Sequence, residues 1–561
     1  MEQRRKWRRF GWEKTAFFLF LAAMAVYYGW RMFALTPWYD ELYTYYYFIS
    51  RGPIYAAIHW PLPNNHIGYS VLSACLGVFG SSAVALRGVS YLCSLGSLIY
   101  LFRIGREWFG RRAAWMPVFL YTGMYMVNQL AVQGRGYALV SFCYLLAISR
   151  LQRITSMKEK GLGDYIVFGG SLVMALYAIP SSVYMVVPLC LAGGIALLAR
   201  RENKRLMCLV VTSFISAGCT VGLYGLVWLA IGSNLLVKTE GSIYYGMGHG
   251  TVILHAPLKA LGTGIDYMLA TPYIQSVGRE GFLGKFGQWL ISLLNEYYSG
   301  GAVILAAFVI ASVILSMALA VKKYSDMRGK RKNSAWEHKY NSTCISMRGA
   351  TEDNVCNKCD DGIFREVYLS VTIICILLML FIQCSLPYYR VFSFAGVTVS
   401  FAFTWLLYMA AESIQAVGGL QAGKVLAAGS VFAGAACVCL LCSSPYRAQY
   451  GGREAAIEDA CRHVELSQDK KIGVTDCDQE YLLLFLYGMG EERITKSLDE
   501  AQVVLADKYL LLDYDTDVTD WSGDNWKMYF SPEEFEASGV TEDMKAVYEN
   551  DRFVVYMREE D

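Results

Sequence analysis

Charge is scarce in this sequence: 17% of its 561 residues are charged against 55% hydrophobic, and mean hydropathy is +0.32. Runs such as Thr15–Leu35, Leu206–Ile231, Gly300–Val321 and Val371–Leu386 are almost uncharged. They are long enough, or nearly so, to cross about 30 Å of hydrocarbon as helices. Lipid cannot satisfy a bare backbone, so apolar runs of this length mean helices. This excludes a soluble globular protein. A regular cysteine spacing is also missing. Most of the 16 cysteines sit in apolar runs (Cys75, Cys93, Cys143, Cys190, Cys208, Cys219, Cys375, Cys437). They read as small buried hydrophobes, which excludes a disulfide framework. The first span is longer than a signal core and no small-residue cleavage pattern follows it, so no cleavable signal peptide is expected. No internal repeat stands out, and no nucleic-acid partner is expected.

What charge there is lies unevenly. From Pro445 to Asp561 the chain holds 12 of its 50 Lys and Arg but 28 of its 48 Asp and Glu, which leaves 38 and 20 for the rest. An acidic tail follows a basic, membrane-embedded body, an asymmetry that bears on topology and partners.

Arg4, Arg5, Lys6, Arg8 and Arg9 mark the N-terminus as cytoplasmic, because positive residues stay inside. The stretch Thr36–His66 then lies outside. Ile67–Gly80 is apolar but short for a span. We place it along or dipping into the outer surface, which keeps Arg103, Arg106, Arg111 and Arg112 inside. The later basic loops at Arg150–Lys160, Arg200–Arg205 and Lys322–Lys332 then also fall inside. The expectation is an α-helical polytopic membrane protein of about eleven spans, N-terminus inside, with a small external α/β C-terminal domain. Residues 1–444 form the transmembrane domain, with external loops 36–82 and 232–299 and a cytoplasmic loop 322–366, and 445–561 the external domain. In loop 232–299, Phe282–Asn295 is suited to lie on the membrane. In the tail, Lys471–Thr475, Val503–Ala506, Tyr509–Leu512 and Arg552–Met557 read as strands, and Gly452–Leu466 and Tyr481–Tyr487 as helices.

Four polar stretches fall on the outer side. The first, Trp38-Tyr39-Asp40-Glu41-Leu42-Tyr43, puts two carboxylates among aromatics just past a span. A plain helix N-terminus in an aromatic interfacial belt explains it structurally. A base placed to take a proton from a hydroxyl explains it functionally. The second, Pro61-Leu62-Pro63-Asn64-Asn65-His66, is an ordinary turn or the wall of a polar pocket. Gln133-Gly134-Arg135-Gly136-Tyr137 and Pro387-Tyr388-Tyr389-Arg390 are tight turns between spans. Snorkelling accounts for Arg135, and for Arg87 near a span end. Alternatively Arg135 and Arg390, on the same face as Asp40, suit a phosphate, since guanidinium donates two parallel hydrogen bonds. A carboxylate and arginines at headgroup level fit a phospholipid-linked substrate.

The order of these features resembles the C-fold, multi-span glycosyltransferases, the group of protein O-mannosyltransferases and lipid A aminoarabinose transferases. A basic N-terminus, a span, an Asp-Glu pair, Asn-Asn-His before an Ile-Gly-Tyr helix, and Phe-Gly-Arg-Arg-Ala-Ala after the next span carry it, best over Arg4–Leu151. The Pro387–Arg390 turn adds a weaker echo. The resemblance implies Asp40 as catalytic base. It also implies a polyprenyl-phosphate-linked sugar donor in the lipid bilayer, no bound nucleotide, and inverting transfer of a hexosyl or pentosyl group at the outer face of the cell membrane. The acceptor would be a cell-envelope polymer, lipid or protein. Glu41, Asn65, His66 and Tyr137 would support donor or acceptor binding, and Arg135, Tyr389 and Arg390 the donor phosphate. Departures remain. His66 is followed by Ile67 where members often have Pro, and Gly134-Arg135-Gly136 stands where some carry an acid. No metal ligand or cofactor is therefore assigned, and a divalent cation stays open.

Asp513, Asp515 and Asp517 mimic the Asp-x-Asp of nucleotide-sugar enzymes but fall in the external tail, where a solvated acidic loop is the better reading. Cys356 and Cys359, with Cys344 and His338, hint at zinc with irregular spacing and one Cys-x-x-Cys only. A transporter is the competing class, opposed by the few charges inside spans and the lack of paired broken spans. An oligosaccharide polymer ligase would share the donor chemistry.

Overall fold

The computed structural model describes residues 2–59, 65–156, 161–270, 278–340, 363–418, 421–448, 452–464, 470–488, 491–512 and 528–558. The chain is mostly helical and ends in a small sheet. Among the described residues eight helices are long and apolar enough to cross a membrane: Glu13–Ala34, Ser82–Phe109, Pro180–Arg200, Asn203–Lys238, Ala302–Arg328, Ile363–Gln383, Ala395–Ala416 and Ala422–Cys442. Between them lie the broken pair Met116–Thr122 and Tyr125–Leu130, the helix Tyr137–Thr155 and the shorter Leu162–Ala178. The expected count of about eleven requires these three pieces to cross as well.

The first helix and Ser82–Phe109 run antiparallel. Phe17 stacks on Phe102 at 4.3 Å, Tyr91 donates to the Ala25 carbonyl, and Arg87 reaches the Leu35 carbonyl at 2.6 Å. The chain between them therefore starts and finishes at one end of the bundle. Helix Ile67–Leu76 has 10 residues, about 15 Å, half a bilayer, so it cannot cross alone. Basic residues gather at the opposite end. There Arg106 and Arg111 pair with Glu13, Arg150 and Arg153 with Asp164, and Lys323 with Glu366.

The stretch expected as a loop from Lys322 continues its helix to Tyr340, because its Lys, Arg, Ala and Glu residues are good helix formers. Loop 232–299 is largely helical. Helix Pro257–Ala270 crosses Asn203–Lys238 with the backbones touching: a Cβ on Gly232 would strike the Ala260 carbonyl, and one on Gly264 the Trp228 carbonyl. Helix Arg279–Tyr297 packs Phe282, Trp289, Leu293 and Leu294 against the bundle and leaves Leu283 and Ile291 outward.

The C-terminal sheet has the order β2-β1-β3-β5-β4, where β1 is Ile472–Gly473, β2 Ile494–Thr495, β3 Val503–Asp507, β4 Lys545–Glu549 and β5 Phe553–Met557. β1 pairs in parallel with β2 and β3, and β5 is antiparallel to β3 and β4. Helices Arg453–His463 and Cys477–Tyr487 cover it. Tyr509–Leu512 is not a strand but a wide helical turn, Lys508–Leu512. The Asp507 carboxylate accepts the Tyr509 N–H at 3.0 Å, turning the chain out of β3, and Leu511 buries beside Phe535 and Val540. Strands β2 and β4 were not legible: the first is two residues long, and the second is mostly exposed.

Candidate active site

The loop after the first helix folds into helix Tyr39–Tyr47, whose first turn carries Asp40 and Glu41. Successive helical residues point about 100° apart, so the two acids part company. Glu41 turns inward. Its carboxylate accepts Arg87 Nε at 2.7 Å and the second Arg87 nitrogen at 2.9 Å, the Gly134 N–H at 2.6 Å and the Trp38 N–H at 3.0 Å. Arg87 also donates to the carbonyls of Met32, Leu35 and Thr36. Both side chains are buried, so Arg87 does not snorkel; it ties the end of the first helix to Glu41. Gly134 is needed here, because a Cβ would strike Leu86 and crowd the Glu41 oxygen.

Asp40 turns the other way and meets Arg390, whose guanidinium lies 3.2 Å from its carboxylate. Their side chains are 15% and 21% exposed, so the pair is mostly buried but reaches the surface. Arg390 lies over the rings of Trp38 and Tyr388, each centroid 5.0 Å away. Helix Arg279–Tyr297 holds this turn in place: Trp289 Nε1 donates to the Pro387 carbonyl at 2.9 Å, and the Tyr297 hydroxyl to the Phe392 carbonyl at 2.6 Å. Tyr389 faces Trp289 at 6.1 Å, so Tyr388 and not Tyr389 flanks the arginine.

Arg135 is fully buried, which corrects the snorkelling explanation. It donates to the Thr44 hydroxyl at 2.7 Å, one turn beyond Asp40, and reaches the Asp40 carbonyl at 3.5 Å. His66 lies 3.4 Å away, with its Nδ1 accepting the Gly136 N–H at 2.9 Å and its ring edge-on to Tyr137 at 5.2 Å. Burial, and then Arg135 and Arg390, push the His66 pKa well below its ordinary value, so the ring is neutral. Asn65 uses its amide within the chain. The NH2 group donates to the carbonyls of Ala56 and His59, and the oxygen accepts from Ser70.

Asp40, Arg390, Arg135, His66 and Tyr137 thus gather at one end of the bundle, while Glu41 and Asn65 brace it. Missed by sequence reasoning were Trp38, Thr44, Tyr388 and a buried arginine on the first helix, Arg31. Arg31 donates to the Tyr446 carbonyl and to Gln129 Oε1, the latter at 2.8 Å. A lone Arg near the end of an apolar run was the available signal. Among the described residues, the side chain paired with the Asp40 carboxylate is the Arg390 guanidinium, which supplies no oxygen donor of the kind a hard cation takes. Among the described residues no group of three His, Cys, Asp or Glu is placed to hold a metal. Residues 60–64, Cys344, Cys356, Cys359, Asp513, Asp515 and Asp517 lie outside the described residues.

One family matches. Residues 68–228 fit the dolichyl-phosphate-mannose-protein mannosyltransferase family. The matched segment contains Arg87, Arg135 and Tyr137 and starts just after His66, while Asp40 precedes it. The resemblance to C-fold glycosyltransferases holds over it. No curated protein matches the chain. Solved structures similar to it include ArnT from Cupriavidus metallidurans bound to undecaprenyl phosphate (15% identity, TM-score 0.39, 97% of this chain and 98% of that one). The archaeal oligosaccharyltransferase AglB from Archaeoglobus fulgidus, in complex with an inhibitory peptide and a dolichol-phosphate, is another (10% identity, TM-score 0.44, 88% and 70%).

Proposed function

We propose that this protein is an inverting glycosyltransferase that moves one sugar from a polyprenyl-phosphate carrier to an acceptor hydroxyl at the outer face of the cell membrane. The Asp40–Arg390 pair carries the reading: a partly exposed carboxylate is held 3.2 Å from a guanidinium at the end of the bundle away from the basic clusters. The similarity of residues 68–228 to dolichyl-phosphate-mannose-protein mannosyltransferases supports it, since that family's name joins a sugar to a lipid phosphate. So does the charge division between the two ends, which under the positive-inside rule puts Asp40 outside.

In the proposed reaction the donor phosphate takes over the guanidinium donors of Arg390. Asp40 then accepts the proton of the acceptor hydroxyl. That oxygen bonds to the anomeric carbon from the face opposite the phosphate, and the carbon–oxygen bond to phosphate breaks with its electron pair. The departing polyprenyl phosphate gains negative charge, which Arg390 offsets directly and Arg135 from beneath Thr44. His66 stays neutral and holds the Arg135 turn through Gly136. A single displacement inverts the anomeric centre.

The test is transfer by full-length protein in proteoliposomes from single-sugar and from oligosaccharide polyprenyl phosphates. Single-sugar transfer that Asp40→Asn abolishes is expected. Transfer at the wild-type rate by Asp40→Asn overturns the reading, and activity confined to oligosaccharide donors makes the protein a polymer ligase.

A further inference from the structure

We propose that the C-terminal domain is part of the Asp40 site, with Glu454 as a positioning residue that sets the helix presenting Asp40; the inference rests on the function proposed above. Helix Tyr39–Tyr47 belongs to two cores at once. Leu42 is fully buried within the C-terminal domain's own core, beside Ile457, Ala460 and Leu483. Around it Tyr46 stacks on Tyr481 at 5.1 Å, Tyr45 meets Phe485 edge-on at 5.3 Å, and the Tyr39 hydroxyl lies 3.6 Å from the Cys477 sulfur. The sheet domain is therefore no appendage: the short helix with the candidate base completes it.

The decisive contact is at the start of that helix. The first backbone N–H groups of a helix have no partner within it. Tyr39, the residue before Asp40, donates its N–H to Glu454 Oε1 at 2.8 Å, across 415 residues of sequence. One turn further along helix Arg453–His463, Glu458 accepts the Thr36 hydroxyl. The two glutamates grip the chain on both sides of the bend that leads into Asp40. Glu454 is fully buried, and its second oxygen has no hydrogen-bond partner among the described residues. It faces Asp478, while the neighbouring Arg453 is occupied by Asp476, Asp478 and Asp507 at 2.6, 2.7 and 3.0 Å. Burial first, and Asp478 second, push the Glu454 carboxyl up, toward its neutral form. A neutral carboxyl still accepts the Tyr39 N–H through its other oxygen. Glutamine reproduces that shape and acceptor, whereas aspartate, one methylene shorter, draws the acceptor away.

The experiment compares Glu454→Gln, Glu454→Asp and Glu454→Ala in the full chain, with Asp40→Asn as reference, in the single-sugar transfer assay. Thermal unfolding and amide hydrogen exchange over residues 36–47 are read alongside. Displacing reacting groups by about 1 Å costs up to roughly 10²-fold. We expect Glu454→Asp and Glu454→Ala to lower kcat by about 10- to 100-fold with donor KM within about twofold, and to speed exchange at Tyr39 and Asp40. Glu454→Gln should restore both readouts. If Glu454→Ala fails to fold, the contrast between Glu454→Asp and Glu454→Gln decides. Equal kcat and equal exchange in folded Asp and Gln variants overturns the positioning role. That outcome, with Asp40→Asn inactive, leaves the proposed function standing. A fully active Asp40→Asn removes the function itself.

Discussion

The two ends of the helical bundle differ in how they use arginine. At the basic end, arginines close helix termini and most keep part of the side chain exposed, although Arg200 is buried. Arg103 and Glu107 are 45% and 40% exposed, and Arg200 and Arg365 reach the backbone carbonyls of Thr155 and Trp108. At the other end Arg31, Arg87 and Arg135 are buried, and each spreads its donors over several acceptors. Exposed pairs are screened and carry side-chain entropy, so they add little. A buried guanidinium left without its partners is costly. Under the orientation proposed above, numbers of charges matter at the basic end. Individual geometry matters at the other, where buried charges build the candidate site.

The difference can be broken at several points. Asp40→Asn should lower transfer by about 10²- to 10⁴-fold, the range for loss of a general base, measured as initial rates in proteoliposomes. Arg87→Ala should destabilise the protein by about 3–5 kcal/mol, because it leaves the buried Glu41 carboxylate unpaired, as read by chemical unfolding in detergent. His66 supplies a pH test. Its folded pKa is depressed by burial and then by Arg135, while the unfolded chain titrates near the ordinary 6.5. The unfolded state therefore binds the extra proton, and stability should fall as pH drops below about 6.5, by at most about 1.4 kcal/mol per pH unit. His66→Gln should flatten that slope in thermal melts taken from pH 7.5 to 5. The smallest effect should come from the basic end: Arg103→Ala costs about 0.5 kcal/mol or less. If Arg103→Ala proved as damaging as Arg87→Ala, the contrast between the ends would collapse.

Much of this site was legible one residue at a time. The pair Asp40-Glu41 past an apolar run, and arginines isolated in tight turns, are local signals, and helical rotation alone parts the two acids by about 100°. Arg135 and Arg390 were legible as sharing a face with Asp40, but not that Arg390 touches its carboxylate while Arg135 supports it through Thr44. Tyr389 illustrates the limit. Nothing local separates it from Tyr388, and Trp289 in a distant helix decides which ring flanks Arg390. Glu454 gave no signal at all, being one acid among the many in an acidic tail.

By itself the sequence determined the helical, membrane-embedded class, the uneven spread of charge along the chain, an apolar segment at Ile67–Gly80 too short to span, and the place of the Asp40-Glu41 pair just past the first apolar run. These follow from composition, run length and periodicity, which are local and additive. Only the tertiary structure decided that Glu41 belongs to Arg87, Asp40 to Arg390, and the Tyr39 N–H to Glu454. Each partnership joins residues far apart in sequence, and it exists because helix crossings such as Gly232 on Ala260, and a sheet domain closed by Leu42, bring them together. Which ridge fills which groove is a property of the packed whole, so no stretch of the chain carries it alone.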